Sequence, residues 1–70
     1  MSWTKNVFSS HVQSVGFDDE TNELIVVWQN GRTSIYSGVP EQTAETVINA
    51  PSVGQALNEH IKNSFGHRYG

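Results

Sequence analysis

Glu23-Leu24-Ile25-Val26-Val27-Trp28-Gln29-Asn30-Gly31-Arg32-Thr33-Ser34-Ile35-Tyr36 decides the fold. Two runs of β-branched and aromatic residues flank Asn30-Gly31. That pair suits a two-residue type I′ turn, in which both central residues need positive φ. A two-residue loop sets Gln29 opposite Arg32, Trp28 opposite Thr33, Val26 opposite Ile35 and Leu24 opposite Ser37. Side chains alternate along a strand, so the faces follow from the register. Leu24, Val26, Trp28, Thr33 and Ile35 form the expected core face. Ile25, Val27, Gln29, Arg32, Ser34 and Tyr36 form the other, half apolar and half polar, suited to a ligand or to a second copy of the chain.

Ser10 to Phe17 reads as a strand preceding this hairpin, with Val12, Val15 and Phe17 as its apolar positions. Asp18-Asp19-Glu20-Thr21-Asn22 is turn chemistry. Ser37-Gly38-Val39-Pro40 ends the third strand, and Pro40 suits the first turn of a helix. Glu41 to Ala50 carries Ala44, Val47 and Ile48 at helical spacing. Pro51 breaks that helix. Ser52-Val53-Gly54-Gln55 then has the form of a capping box, opening a second helix with the stripe Val53, Ala56, Leu57, His60 and Ile61. The expected fold is α+β: a three-stranded antiparallel β-meander followed by two α-helices packed on one sheet face. Leu24, Val26, Trp28 and Ile35 would meet Val53, Leu57 and Ile61. One domain spans 1–70, with 1–8 as an N-terminal segment and 64–70 as a C-terminal tail.

A chain of 70 residues buries a small core and gains stability from association. It has no cysteine, which excludes disulfides and thiolate metal sites. The formal charge of -3 argues against a general nucleic-acid coat. The four cations are Lys5, Arg32, Lys62 and Arg68. No apolar run spans a bilayer, and Met1 to Asn6 is not a signal peptide, so the expected location is cytoplasmic.

Several side chains are candidates for binding. Tyr36 offers a stacking face and Arg32 a forked donor for phosphate. Lys62, His67 and Arg68 make a second cationic cluster. Asn58 and Lys62 lie one turn apart on the second helix, in line with Gly54, whose first-turn position suits an anion. The alternative for these is close packing at Gly54 and a solvated Lys62. Ser10 and His11 join the binding set, since a serine beside a histidine in sequence does not make a catalytic pair. Trp3 suits the cover of a planar ligand or of a neighbouring chain. His11, His60 and His67 lack metal-ligand spacing, so no metal or cofactor is expected.

These pieces together resemble the KTSC domain family, named for its occurrence at the C-terminus of some lysyl-tRNA synthetases. The resemblance runs from about Ser9 to Arg68. It rests on Ser9-Ser10, Val15-Gly16-Phe17-Asp18, Leu24, Asn30-Gly31, Tyr36-Ser37-Gly38-Val39-Pro40, Ala50-Pro51-Ser52-Val53-Gly54 and Asn58-Glu59-His60-Ile61-Lys62. The family's Tyr-x-Tyr motif reads Ser34-Ile35-Tyr36 here, with serine in the first place. Members also stand alone in bacteria and phages, and the resemblance implies RNA binding. From the residues, the expectation is a non-enzymatic homo-oligomeric module for a small anionic nucleotide-type ligand. In a phage it would act in the host cytoplasm as a sponge for a cyclic-nucleotide immune signal. An RNA- or tRNA-binding module, or a protein-interaction adaptor without a small ligand, are the alternatives.

Overall fold

Five antiparallel strands form one sheet: β1 (Trp3–Asn6), β2 (Val12–Asp18), β3 (Glu23–Trp28), β4 (Thr33–Ser37) and β5 (Gly66–Tyr69), in the order β1-β2-β3-β4-β5. The structure is a computed structural model and describes residues 2–7 and 9–70. Met1 and Phe8, both within the segment 1–8, lie outside the described residues. The α+β class and the two helical segments are as expected, but the sheet has five strands where three were predicted. The stretches read as an N-terminal segment and a tail each supply an edge strand. Trp3-Thr4-Lys5-Asn6 and Gly66-His67-Arg68-Tyr69 have no apolar alternation to announce a strand. Their pairing comes from the neighbouring ladder. At Gly16 the chains come so close that a Cβ would sit 3.0 Å from Thr4 Oγ1 and 3.3 Å from the Trp3 carbonyl oxygen.

The β3–β4 turn differs from the expected one. Gly31 is left-handed, with φ of 87°, whereas Asn30 has no positive φ. The Gly31 N–H donates to the Trp28 carbonyl at 3.0 Å, and the Trp28 N–H donates to the Arg32 carbonyl at 2.9 Å. This is a three-residue loop, a type I turn closed by a glycine bulge. Asn30 contributes by accepting from the Arg32 N–H through Oδ1 at 2.9 Å. The extra loop residue moves the register by one: Leu24 faces Tyr36, Ile25 faces Ile35, Val26 faces Ser34 and Val27 faces Thr33. Every β4 side chain therefore changes face. Ser34 and Tyr36 lie on the core side and are buried, while Thr33 and Ile35 lie on the outer side and are half-buried. The β3 faces stand as read.

A second irregularity serves the core. The β2–β3 register shifts between Val12 and Ser14. A bulge adds one residue to the strand's alternation. Val12 thus joins Val15 and Phe17 on the buried side, although strict alternation from Val15 would put Gln13 there.

The helices cover that side. Pro40, in extended conformation, precedes α1 (Glu41–Ile48), which buries Ala44 and Val47. α2 (Val53–Ala56) is one turn long, and Ser52 Oγ accepts from the Gln55 N–H at 3.4 Å, half of the expected capping box. The Gln55 side chain bonds Glu59 instead, at 3.2 Å. The chain continues as a π-helical turn over Leu57–Ile61, closed by the Lys62 N–H on the Leu57 carbonyl at 2.8 Å. Val53, Ala56, Leu57 and Ile61 are buried against the sheet, while His60, on the predicted stripe, is exposed. No helix among the described residues is long and apolar enough to cross a membrane.

The observed register predicts an order of stability losses. Tyr36→Ala removes a ring that is 7% exposed and should cost about 3–5 kcal/mol. Ile35→Ala, on the half-open outer face, should cost about 1 kcal/mol. Urea unfolding of the two variants checks this, and the two-residue turn would reverse the order.

Candidate functional site

The face exchange in β4 builds the site. Ser34 and Tyr36 point toward the helix layer. β5 sets His67 opposite Tyr36 and Tyr69 opposite Ser34. The Tyr36 and His67 ring centroids are 4.8 Å apart with a 32° tilt. His67 and Tyr69 are also 4.8 Å apart, edge to face. The ladder runs from the core outward, ending at Tyr69, which is 68% exposed. Beside it opens a groove of about 480 Å³ whose walls include Trp28, Arg32, Ser34, Tyr36, Lys62 and His67. A smaller cavity of about 200 Å³ adjoins it, bounded by His11, Gly54, Leu57 and Asn58 together with Trp28, Tyr36 and Lys62. The last three residues line both.

Trp28, expected in the core, is instead partly buried and forms a wall of both cavities. Its indole N–H donates to Ser34 Oγ at 2.8 Å. Ser34 is 2% exposed, so the bond satisfies a hydroxyl that would otherwise be costly to bury. Burial raises the Tyr36 pKa above 10.0; a hydrogen bond with Ser34 opposes that and the Tyr69 phenol adds to it. Tyr36 therefore stays neutral at physiological pH, with its hydroxyl engaged by Ser34.

The charges divide sharply. Lys5 sits 5.9 Å from the Trp3 ring centre, at the far edge of the sheet. Arg68 pairs with Glu23 at 2.6 Å and donates to Ser37 Oγ at 3.2 Å, on the face away from the groove. Among the described residues Arg32 and Lys62 have no ion-pair partner, and both line the groove. No aspartate or glutamate lines either cavity.

Of the residues singled out from sequence, Tyr36, Arg32, Lys62 and His67 meet in the larger groove. His11 and Asn58 border the smaller one, and Gly54, Asn58 and Lys62 line it together. Trp3, Ser10 and Arg68 are in neither cavity. Trp3 packs on Phe17 with ring centres 6.0 Å apart. Ser10 is exposed, in the turn before β2, where Ser9 Oγ accepts from the His11 N–H at 3.3 Å. Trp28, Ser34 and Tyr69 were missed as site residues. A three-residue loop at Asn30-Gly31 would have put Trp28, Ser34 and Tyr36 on one face. Nothing in the sequence places Tyr69 there without the fifth strand. No cluster of three potential metal ligands occurs among the described residues.

Comparison with known proteins bears on this geometry. The model of one family, the KTSC domain, matches residues 8–65. No curated protein matches the chain. Among solved structures, the crystal structure of a KTSC domain protein from Yersinia pestis is similar over 100% of this chain and 99% of its own. The TM-score is 0.92 and the identity 28%.

Two measurements test the site's polar core. Ser34→Ala leaves the Trp28 indole N–H without its partner and should cost about 1–3 kcal/mol. In a Trp28→Phe background the same change should cost less, and a double-mutant cycle reads the difference. The second concerns pH. A phenol whose pKa is raised on folding keeps its proton longer in the folded than in the unfolded chain. Its contribution is complete below pH 10.0 and falls as pH rises from there through the folded value. Urea midpoints between neutral pH and pH 11 should decline less in Tyr36→Phe than in the parent.

Proposed function

The chain belongs to the KTSC domain family, and on that footing we propose that it is a non-enzymatic binding module whose groove takes a small anionic ligand of nucleotide type. One observation carries the reading. In a chain with seven acids and four cations, two of the three cations that pair with no acid among the described residues, Arg32 and Lys62, share one groove, and no acid lines it. An anion entering there meets two unneutralised charges and no repulsion. Trp28, Tyr36, His67 and Tyr69 add π-faces for a planar group. Two cations suit one or two phosphates, while a long polymer needs more positive charge than this surface offers.

The module acts as a homo-oligomer in the cytoplasm. The outer sheet face supports the association, because Ile25, Val27 and Ile35 sit half-exposed on it with no helix over them. A small domain gains stability by covering such a face with a second copy. Tight binding without turnover suits a sponge, and a cyclic signalling nucleotide of a phage-infected host is the ligand we assign to it.

A thermal-shift screen against mononucleotides and cyclic nucleotides should find a stabilising ligand. In calorimetry with that ligand, Arg32→Gln and Lys62→Gln should each weaken binding about tenfold or more, the loss of a charge-assisted contact. Arg68→Gln should leave affinity unchanged, because its partner is Glu23 on the other face. If no nucleotide binds, or RNA oligomers bind with a steep salt dependence, the small-ligand reading is wrong. Light scattering should give at least a dimer, and Ile35→Lys should reduce it to one chain.

A further inference from the structure

We infer that the ligand binds in one orientation: the base in the small cavity between Trp28 and Leu57, the phosphate in the larger groove between Lys62 and Arg32. This rests on the nucleotide reading above and assigns each half of the ligand to its own compartment. The two cavities differ in chemistry. The smaller is walled by the indole of Trp28, the ring of Tyr36 and the side chain of Leu57. An apolar cavity of about 150 Å³ takes a benzene ring. A space of about 200 Å³ therefore suits one aromatic ring system rather than a stack of them.

Its rim is polar. Asn58 offers both an amide donor and a carbonyl acceptor, the pairing that the edge of a nucleobase presents in return. A plain hydrocarbon ring would leave that amide unanswered. Lys62 is the cation shared by the two cavities, while Arg32 borders the larger alone. A ligand with its ring in the small cavity thus has its anionic part led past Lys62 toward Arg32. The reverse orientation would put the phosphate against Leu57, beside Lys62 but away from Arg32, and desolvate it at half the compensating charge.

Gly54 makes the idea testable. It lies in the wall of the small cavity, within α2 and without positive φ. A Cβ there would meet only Ser9 Oγ, at 3.5 Å, an ordinary contact. A side chain at 54 thus starts from the wall of the small cavity and from no part of the larger groove.

The experiment is calorimetry with adenosine monophosphate and with ribose phosphate, its base-free analogue. The parent should bind the nucleotide at least about tenfold more tightly, as expected from stacking of one base. Gly54→Val should bring the nucleotide down to the level of ribose phosphate and leave ribose phosphate unchanged. Lys62→Gln should weaken both. Gly54→Ala, which favours the helix, repeats the test with a smaller group if the valine variant melts early. If the parent binds nucleotide and the Gly54 variants keep its full preference over ribose phosphate, or lose both ligands equally, the orientation is overturned while the function stands. If the parent binds neither, nor any other nucleotide of the thermal-shift screen, both fall; if it binds another, the same comparison is made with that nucleotide and its base-free analogue.

Discussion

The left-handed conformation of Gly31 is the constraint on which the functional side of the molecule depends. It closes a three-residue loop, and an odd loop decides which β4 side chains turn inward. Serine and tyrosine arrive under the helix layer, and isoleucine goes to the opposite face. The Trp28–Ser34 hydrogen bond, the Tyr36–His67–Tyr69 ladder and the groove beside them all follow from that parity. A residue other than glycine at this φ would carry a steric penalty of roughly 1–2 kcal/mol. The register would then be the first thing at risk.

The site is laid out by division of labour between faces. Arg68 and His67 are neighbours in sequence on an edge strand, so they point to opposite sides. One is neutralised by Glu23 and the other stacks on a buried tyrosine. The π-helical turn has a matching effect on the opposite wall. Its wider hydrogen bond, from Lys62 back to Leu57, ends the helix with Asn58 and Lys62 both in the lining of the smaller cavity. Such turns recur at functional sites because they break helical regularity where a side chain must be placed.

The sequence made much of this legible, and the failures have local causes. The β3 faces, both helical segments, the Ser52 cap and the line of Gly54, Asn58 and Lys62 were readable because each rests on periodicity or a short capping motif. The turn was misjudged because Asn-Gly serves two loops, one with two residues and one with three, and only the second needs glycine alone at positive φ. That single ambiguity inverted Ile35 and Tyr36. The edge strands were illegible because four residues such as Trp3-Thr4-Lys5-Asn6 hold no pattern of their own. The bulge after Val12 leaves one trace in sequence, the three-residue step from Val12 to Val15 in a strand of otherwise twofold period. Arg68 is next to His67 in sequence, and strand alternation turns that proximity into separation across the sheet.

β5 has a thermodynamic consequence of its own. Its four residues are all exposed, it pairs on one side only, and the whole helical layer separates it in the chain from its partner β4. Segments of that kind open by sub-global fluctuations well below the energy of complete unfolding. Each opening takes His67 and Tyr69 away and dissolves one wall of the groove. For a ligand of the proposed kind, the fraction of molecules with the strand docked would then multiply the intrinsic association constant. Occupancy of the groove and protection of the β5 amides from solvent exchange are, on this account, two views of one equilibrium.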